Sequence, residues 1–217
     1  MNLKAVLFDL DGVIVDTAKY HYIAWKELAD KLGIYFDEQI NERLKGVSRM
    51  ASLEIILERS EKDYSEEEKA ALADEKNNRY VAMVKQLTPD EILPGVLVFL
   101  SELKAAGIKT AVCSASKSAG MIISLLELDD CFNAVLGGAD VTKPKPDPEI
   151  FTLAQTRFGV NPDECLVVED AFAGIEAGKQ AGMKTLGIGD AGILTNADVV
   201  YPDLLPVHLE NAEALFL

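Results

Sequence analysis

The chain predicts an α/β fold, a doubly wound, Rossmann-like parallel sheet core with an inserted all-helical cap domain. Three observations predict it. Ala5-Val-Leu-Phe8 is a short apolar run without helical spacing, the pattern of a strand buried on both faces of a parallel sheet. From Pro94 onward, short apolar runs at 108–113, 132–136, 165–168, 185–188 and 198–201 alternate with helical segments. Residues 18–88 between them read as a helical insert, so they interrupt the alternation after its first strand. The expected division is therefore 1–16 with 89–217 as the core and 17–88 as the cap. The two chain crossings, near Asp16-Thr17 and from Thr88 to Leu93, make a plausible hinge.

A chain of 217 residues can bury one sizeable core and carry a smaller second unit. Its 49% hydrophobic and 26% charged residues are ordinary for a globular protein. No apolar run approaches the ~20 residues that span a bilayer. The N-terminus shows no signal-peptide pattern, and the cytoplasm is the expected location. A net charge of −15 argues against nucleic acid and against anionic membrane surfaces as partners. A small anionic ligand is compatible with that charge if Lys45, Arg49, Lys76, Lys117 and Lys145 gather locally, and a monomer is expected. Cys113, Cys131 and Cys165 lack CxxC or zinc-ligand spacing and are expected to be buried thiols.

Two acids, Asp9 and Asp11, end the first strand. Side chains alternate along a strand, so both can lie on one side while Leu10 turns inward. Buried unpaired carboxylates are costly, and a bound cation, a shared proton or a phosphate site with its metal would compensate them. Next, Tyr20, Ala24, Leu28 and Leu32 form a stripe closed by Gly33, which predicts a helix. His21 and Trp25 lie one turn apart near its start. Residues 37–44 read as a second helix, and Ser48 caps a third whose Leu53, Ile56 and Leu57 face inward. The loop Lys45-Gly46-Val47-Ser48-Arg49 offers backbone N–H groups and cations to an oxyanion. Ser65 and Glu68 form a capping box for a fourth helix running to about Leu87, with Leu72, Tyr80, Val84 and Leu87 inward.

Pro94-Gly95 opens a helix to Ala106, and the strand over 108–113 runs into Ser114-Ala115-Ser116-Lys117. Hydroxyls and a lysine between a strand and a helix over 119–128 make a phosphate cradle. Prolines 144, 146 and 148 stiffen the loop over 140–149 and hold Lys145 on a rigid arm, suited to placing one charge beside reacting oxygens. Asp147 and Pro148 are the expected N-cap and first residue of a helix ending at Gly159. The strand over 165–168 ends in Glu169-Asp170. Small residues at 173, 174, 177 and 178 predict that the helix over 171–181 packs closely on the sheet. Two short strands and a final helix from His208 complete the chain.

In an open parallel sheet, ligands bind beyond the carboxyl ends of the strands at a topological switch point. Asp9, Asp11, Glu169 and Asp170 supply hard oxygen ligands suited to Mg²⁺, and Ser114 and Lys145 supply donors to a phosphoryl group. One acid can attack phosphorus to form an aspartyl phosphate while its neighbour handles the proton. Asp9, deeper on the strand, takes the nucleophile's role and Asp11 the acid/base role; spacing alone allows the reverse.

The motifs Asp9-Leu-Asp11-Gly-Val, Ser114-Ala-Ser116, Lys145-Pro-Asp-Pro-Glu and Val168-Glu-Asp170-Ala-x-Ala-Gly174, in that order, resemble the haloacid dehalogenase-like superfamily of phosphotransferases. The resemblance covers nearly the whole chain. It implies that Asp9 is the nucleophile, that Asp11 is the acid/base and gives a backbone carbonyl to Mg²⁺, and that Glu169 and Asp170 stand at the metal. It also implies, through the presence of Asp11, that halide chemistry is excluded. Thr17 with His21 and Trp25, Leu44-Lys-Gly-Val-Ser-Arg49, Ser52, Lys76 with Asn77, and Ser114-Ala-Ser-Lys117 are similar to the beta-phosphoglucomutase family. Ser118 stands where that family's pattern has asparagine. This likeness implies interconversion of β-glucose 1-phosphate and glucose 6-phosphate through a bound β-glucose 1,6-bisphosphate. Arg49, Ser116 and Lys117 would hold the second phosphate, and His21 with Lys76 would position Asp11. The alternative is a Mg²⁺-dependent sugar-phosphate or other small-molecule phosphatase using the same core acids, for which water is the final acceptor.

Overall fold

The computed structural model describes residues 3–44 and 47–217; Lys45 and Gly46 lie outside the described residues. The chain divides into two compact units, Met1–Asp16 with Thr88–Leu217, and Thr17–Leu87. Thr88 falls in the larger unit, one residue from the boundary expected above.

The larger unit is built on β1 (Ala5–Phe8), β2 (Lys109–Cys113), β3 (Ala134–Leu136), β4 (Cys165–Glu169), β5 (Lys184–Ile188) and β6 (Val199–Tyr201). The strands are all parallel and lie in the order β3-β2-β1-β4-β5-β6. That is the doubly wound order, and the direction of winding reverses between β1 and β4. Phe8 pairs with Val112 on one side and Val168 on the other. The residues immediately beyond, Asp9, Cys113 and Glu169, therefore lie at one level, with Ser114 and Asp170 following as the chain leaves the sheet. Register thus gathers residues far apart in sequence at one edge.

Both faces of β1 are buried. Ala5 and Leu7 join Ala111, Cys113, Cys165 and Val167 in a cluster with Ile150, Phe151 and Ala154 of α7 (Glu149–Phe158) and Ala177 of α8 (Phe172–Gln180). Val6 and Phe8 point the other way. There the Phe8 ring meets Phe99 of α5 (Val96–Ala105) edge-on, with centroids 5.8 Å apart. Each fully buried large side chain contributes roughly 1.5–3 kcal/mol, which explains why a four-residue strand can anchor the unit.

The smaller unit holds α1 (Ala18–Leu32), α2 (Glu38–Glu42), α3 (Arg49–Leu57) and α4 (Glu66–Val84). Side chains fix three of its helix starts. Asp37 accepts from Ile40 N at 2.9 Å, Ser48 accepts from Ala51 N at 3.3 Å, and Ser65 and Glu68 cap each other's backbone. Trp25, Leu28, Ala29, Phe36, Ile40, Leu53 and Ile56 form its core. None of the described helices is long and apolar enough to cross a membrane.

Several local expectations are corrected. The fourth helix stops at Val84 and not near Leu87, because the N–H groups of Gln86 and Leu87 turn back to the carbonyls three residues earlier. Helix α6 (Ala119–Leu125) ends three residues before the expected Leu128. Glu127 there adopts a left-handed conformation, φ 57°, and Leu128 N donates to Ile123 O, a stop usually made with glycine. Pro148, not Asp147, occupies the N-cap position of α7, although the Asp147 carboxylate does accept from Glu149 N at 3.0 Å. Cys113 and Cys165 are buried as expected, whereas Cys131 is only partly so.

Candidate active site

Asp9 is the first residue past β1, and its N–H donates to Val168 O at 2.8 Å, prolonging the β1–β4 ladder by one bond. That bond fixes the backbone from which the buried Asp9 carboxylate projects. Lys145 Nζ lies 2.5 Å from Asp9 Oδ1 and 2.5 Å from Glu169 Oε1, so one ammonium joins the ends of two neighbouring strands. The other Glu169 oxygen accepts from Ala171 N at 2.9 Å. Burial opposes charge on Lys145, but the Asp9 and Glu169 carboxylates outweigh it and raise its pKa. The lysine is a fixed cation here.

Two glycines make room for these acids. A methyl group on Gly12, which has φ +80°, would stand 2.1 Å from Asp170 Oδ2, and one on Gly174 would stand 1.8 Å from Glu169 Oε1. The small-residue spacing of α8 predicts close packing on the sheet; at Gly174 what it accommodates is a carboxylate.

Asp9, Glu169 and Asp170 each offer a carboxylate oxygen within 4.8 Å of the other two. Burial first, then the charges of Glu169, Asp9 and Asp11, push Asp170 up to about 8. Burial and Asp9 likewise push Glu169 up to about 7, against the lowering pull of Lys145. This all-oxygen, charge-crowded set fits a hard divalent cation such as Mg²⁺, whose charge would relieve the repulsion.

On the β2 side, Ser114 is buried and its N–H donates to Leu136 O at 3.0 Å. Ser114 Oγ accepts from Ser116 N and Ser116 Oγ accepts from Ser118 N, each at 3.1 Å, so the hydroxyls shape the turn and retain their own O–H groups as donors. Ala115 and Lys117 are exposed, and Ser118 is half-buried. Asp11 is half-buried in a tight turn where Gly12 N donates to Val15 O at 2.9 Å.

The helical unit assembles a second group of its own. Thr17 Oγ1 accepts from the Tyr80 hydroxyl at 3.3 Å, and the Tyr80 ring stacks on His21 with centroids 4.0 Å apart. His21 Nδ1 lies 2.7 Å from Lys76 Nζ, which stands 4.6 Å from the Trp25 ring centroid. Burial, then the Lys76 and Arg49 charges, hold the His21 pKa well below 6.5. His21 is thus a neutral imidazole that accepts from lysine at Nδ1 and carries its proton on Nε2. Trp25 is itself a core residue of this unit. Tyr80 joins the group although its helical spacing marks it only as an inward-facing residue. At the start of α3, Ser48 is the cap, Ser52 is buried and Val47 is half-buried, while Arg49 makes a long 3.5 Å ion pair with Asp74. Lys45 and Gly46 lie outside the described residues.

A family model described as haloacid dehalogenase-like hydrolase matches residues 3–182. The chain belongs to the haloacid dehalogenase-like hydrolase family. It is 43% identical to a beta-phosphoglucomutase of Bacillus subtilis over 210 residues, 96% of this chain and 93% of the relative. A crystal structure of beta-phosphoglucomutase from Clostridium difficile superposes with a TM-score of 0.93 at 41% identity, covering 99% of this chain and 97% of that one. A fructose-1-phosphate phosphatase of Escherichia coli is 33% identical over 84% of this chain and 95% of the relative. This haloacid dehalogenase-like protein is accordingly an enzyme of the beta-phosphoglucomutase kind, with phosphatases among its relatives.

Two tests follow from the geometry. Helix propensity alone would make Gly174→Ala stabilising by about 1 kcal/mol, but the collision with Glu169 predicts a net loss of about 1–3 kcal/mol. A raised melting temperature in that variant would refute the close approach. The second test is one of sign. Asp170 titrates at 3.8 unfolded and about 8 folded, so across that window the unfolded chain binds fewer protons and metal-free stability falls as pH rises. Added Mg²⁺ should therefore raise the melting temperature more near about pH 8 than near about pH 6. The opposite order would contradict the crowded-acid account.

Proposed function

We propose that this chain is a phosphomutase interconverting β-D-glucose 1-phosphate and D-glucose 6-phosphate, through an aspartyl phosphate on Asp9 and β-glucose 1,6-bisphosphate. The observation that carries this reading is the likeness to a beta-phosphoglucomutase through both units of the fold at 43% identity. In this reading the Rossmann-like unit is the catalytic core, and the helical unit is a cap that supplies groups a simple phosphatase does not need.

An Asp9 carboxylate oxygen attacks one phosphorus of the bisphosphate, the bond to that sugar oxygen breaks, and Asp11 gives its proton to the leaving oxygen, which releases a sugar monophosphate and leaves the aspartyl phosphate. Lys145 fixes the rotation of the Asp9 carboxylate and leaves one of its oxygens to be aimed at phosphorus. The Ser114 hydroxyl and the Lys145 ammonium donate to the phosphoryl oxygens as charge builds on them. Asp9, the Asp11 backbone carbonyl, Asp170 and Glu169 would hold Mg²⁺, which supplies electrostatic stabilisation of the transferring phosphoryl group when bound.

In the return step an incoming sugar monophosphate gives the proton of its free hydroxyl to Asp11 as that oxygen attacks the aspartyl phosphate, so the Asp9–phosphorus bond breaks and this sugar carries two phosphates. A mutase must hold the distal one while the proximal one reacts. Arg49, with Ser116 and Lys117, is proposed for that role, with Lys45, Gly46, Val47, Ser48, Ser52 and Ser118 lining the sugar site. The existing Arg49–Asp74 pair is exposed and long, worth about 0–1 kcal/mol, so exchanging it for a phosphate costs little. Thr17, His21, Trp25 and Lys76 are proposed to position Asp11, with His21 offering its Nε2–H.

The phosphatase relative favours a second reading, in which water accepts the phosphoryl group and no distal site is required. Supplying β-glucose 1-phosphate, Mg²⁺ and a trace of the bisphosphate, then following glucose 6-phosphate and free phosphate separately, decides between them. The mutase yields isomer with little phosphate; phosphate without isomer would establish the hydrolase. Asp9→Asn should abolish phosphoenzyme formation. Arg49→Ala should reduce isomerisation by about 10²-fold while sparing hydrolysis of a simple phosphate ester, and equal losses in both would remove its distal role.

A further inference from the structure

Lys145 sits at the crest of the loop joining β3 to α7, and its ammonium must reach two acids from there. The prolines at 144, 146 and 148 stiffen this loop but do not tie its two ends together. A different residue does so. The Glu149 carboxylate, at the first position of α7, turns back across the loop and accepts from Lys143 N at 2.7 Å, from Thr142 N at 3.0 and 3.1 Å, and from the Thr142 hydroxyl at 3.1 and 3.3 Å. Behind it, Asp147 N donates to Pro144 O at 3.0 Å, and Gly137 N donates to the Asp140 carboxylate at 2.8 Å.

We propose that Glu149 is the positioning residue for Lys145: its carboxylate closes the base of the loop and thereby sets the reach of the ammonium to Asp9 and Glu169. The inference rests on the role given to Lys145 under the proposed function, and extends it to a residue that touches neither substrate nor metal. A residue that served only to start α7 would need to satisfy the free N–H groups of that helix. Glu149 instead spends its acceptors on Thr142 and Lys143, upstream of the lysine, while the N–H of Glu149 itself is met by Asp147. Without the clamp the segment over 142–149 keeps its inner turn, in which Asp147 N donates to Pro144 O, but loses the tie between its two ends, and an ammonium displaced by about 1 Å loses much of its catalytic value.

The test reads lysine reactivity directly on metal-free protein, without substrate. Acetic anhydride labelling, followed by mass spectrometry, compares Lys145, which is buried, with Lys184, which is exposed. In Glu149→Ala the ratio of Lys145 to Lys184 labelling should rise by about 10-fold or more as the loop opens. Glu149→Gln, which keeps one acceptor, should rise less. In the Mg²⁺-loaded enzyme Glu149→Ala should lower kcat by about 10²-fold with KM little changed. An unchanged labelling ratio in folded Glu149→Ala, whatever its melting temperature, would reduce Glu149 to a helix-starting residue and overturn the proposal; if that variant does not fold, an unchanged ratio in Glu149→Gln overturns it. Raised labelling with unaltered kcat would overturn it equally. Since labelling needs no turnover, the labelling ratio is independent of whether the enzyme releases isomer or phosphate.

Discussion

One buried ammonium holds the site in place. Lys145 bonds to acids on β1 and β4, the strands that flank the switch point, and it does so from a loop that follows β3. Desolvating three charges costs several kcal/mol per ion, and two short contacts from one ammonium, with the second Glu169 oxygen also bonded, oppose that cost. Ala171 N fills the second Glu169 oxygen, and the Val168 carbonyl fixes the Asp9 backbone. Removing the lysine would leave two carboxylates facing Asp170 with no compensating charge, a change of about 3–5 kcal/mol by analogy with broken buried pairs.

The same crowding that makes the acids costly suits them to hold a cation. A sheet edge where Glu169 and Asp170 are held above the ordinary carboxylate range is a place that gains from a cation and from a transferring group that carries its own balance of charge. Backbone register sets the stage by bringing three strand ends level, and two glycines supply the room. The helical unit applies the opposite logic. Its His21 is kept neutral by burial and by cations, so it offers a directed N–H without adding charge.

Much of this was legible because it obeys local rules. An apolar run of four residues ending in two acids can be read as a strand that delivers carboxylates, and alternation after Pro94 can be read as a parallel sheet. The capping box at Ser65 depends only on residues three apart. Other features needed tertiary information. The end of α6 falls short of Leu128 because Glu127, not glycine, takes the left-handed turn. Gly174 could be recognised as small but not as the neighbour of Glu169, since that approach depends on how α8 returns to β4. Tyr80 has the spacing of an ordinary core residue, and only the packing of α4 on α1 turns it into the stacking partner of His21. Glu149 resembles any acid in a first helical turn until its carboxylate is seen to bend back over the loop.

The central claim is that the Lys145 charge is what keeps Glu169 from rising further. A ¹³C NMR titration of the Glu169 carboxyl in metal-free wild type and in Lys145→Met measures this directly. The account predicts a Glu169 midpoint displaced upward in the variant, because burial and Asp9 would then act unopposed. An unmoved or lowered midpoint in a folded Lys145→Met protein would contradict it.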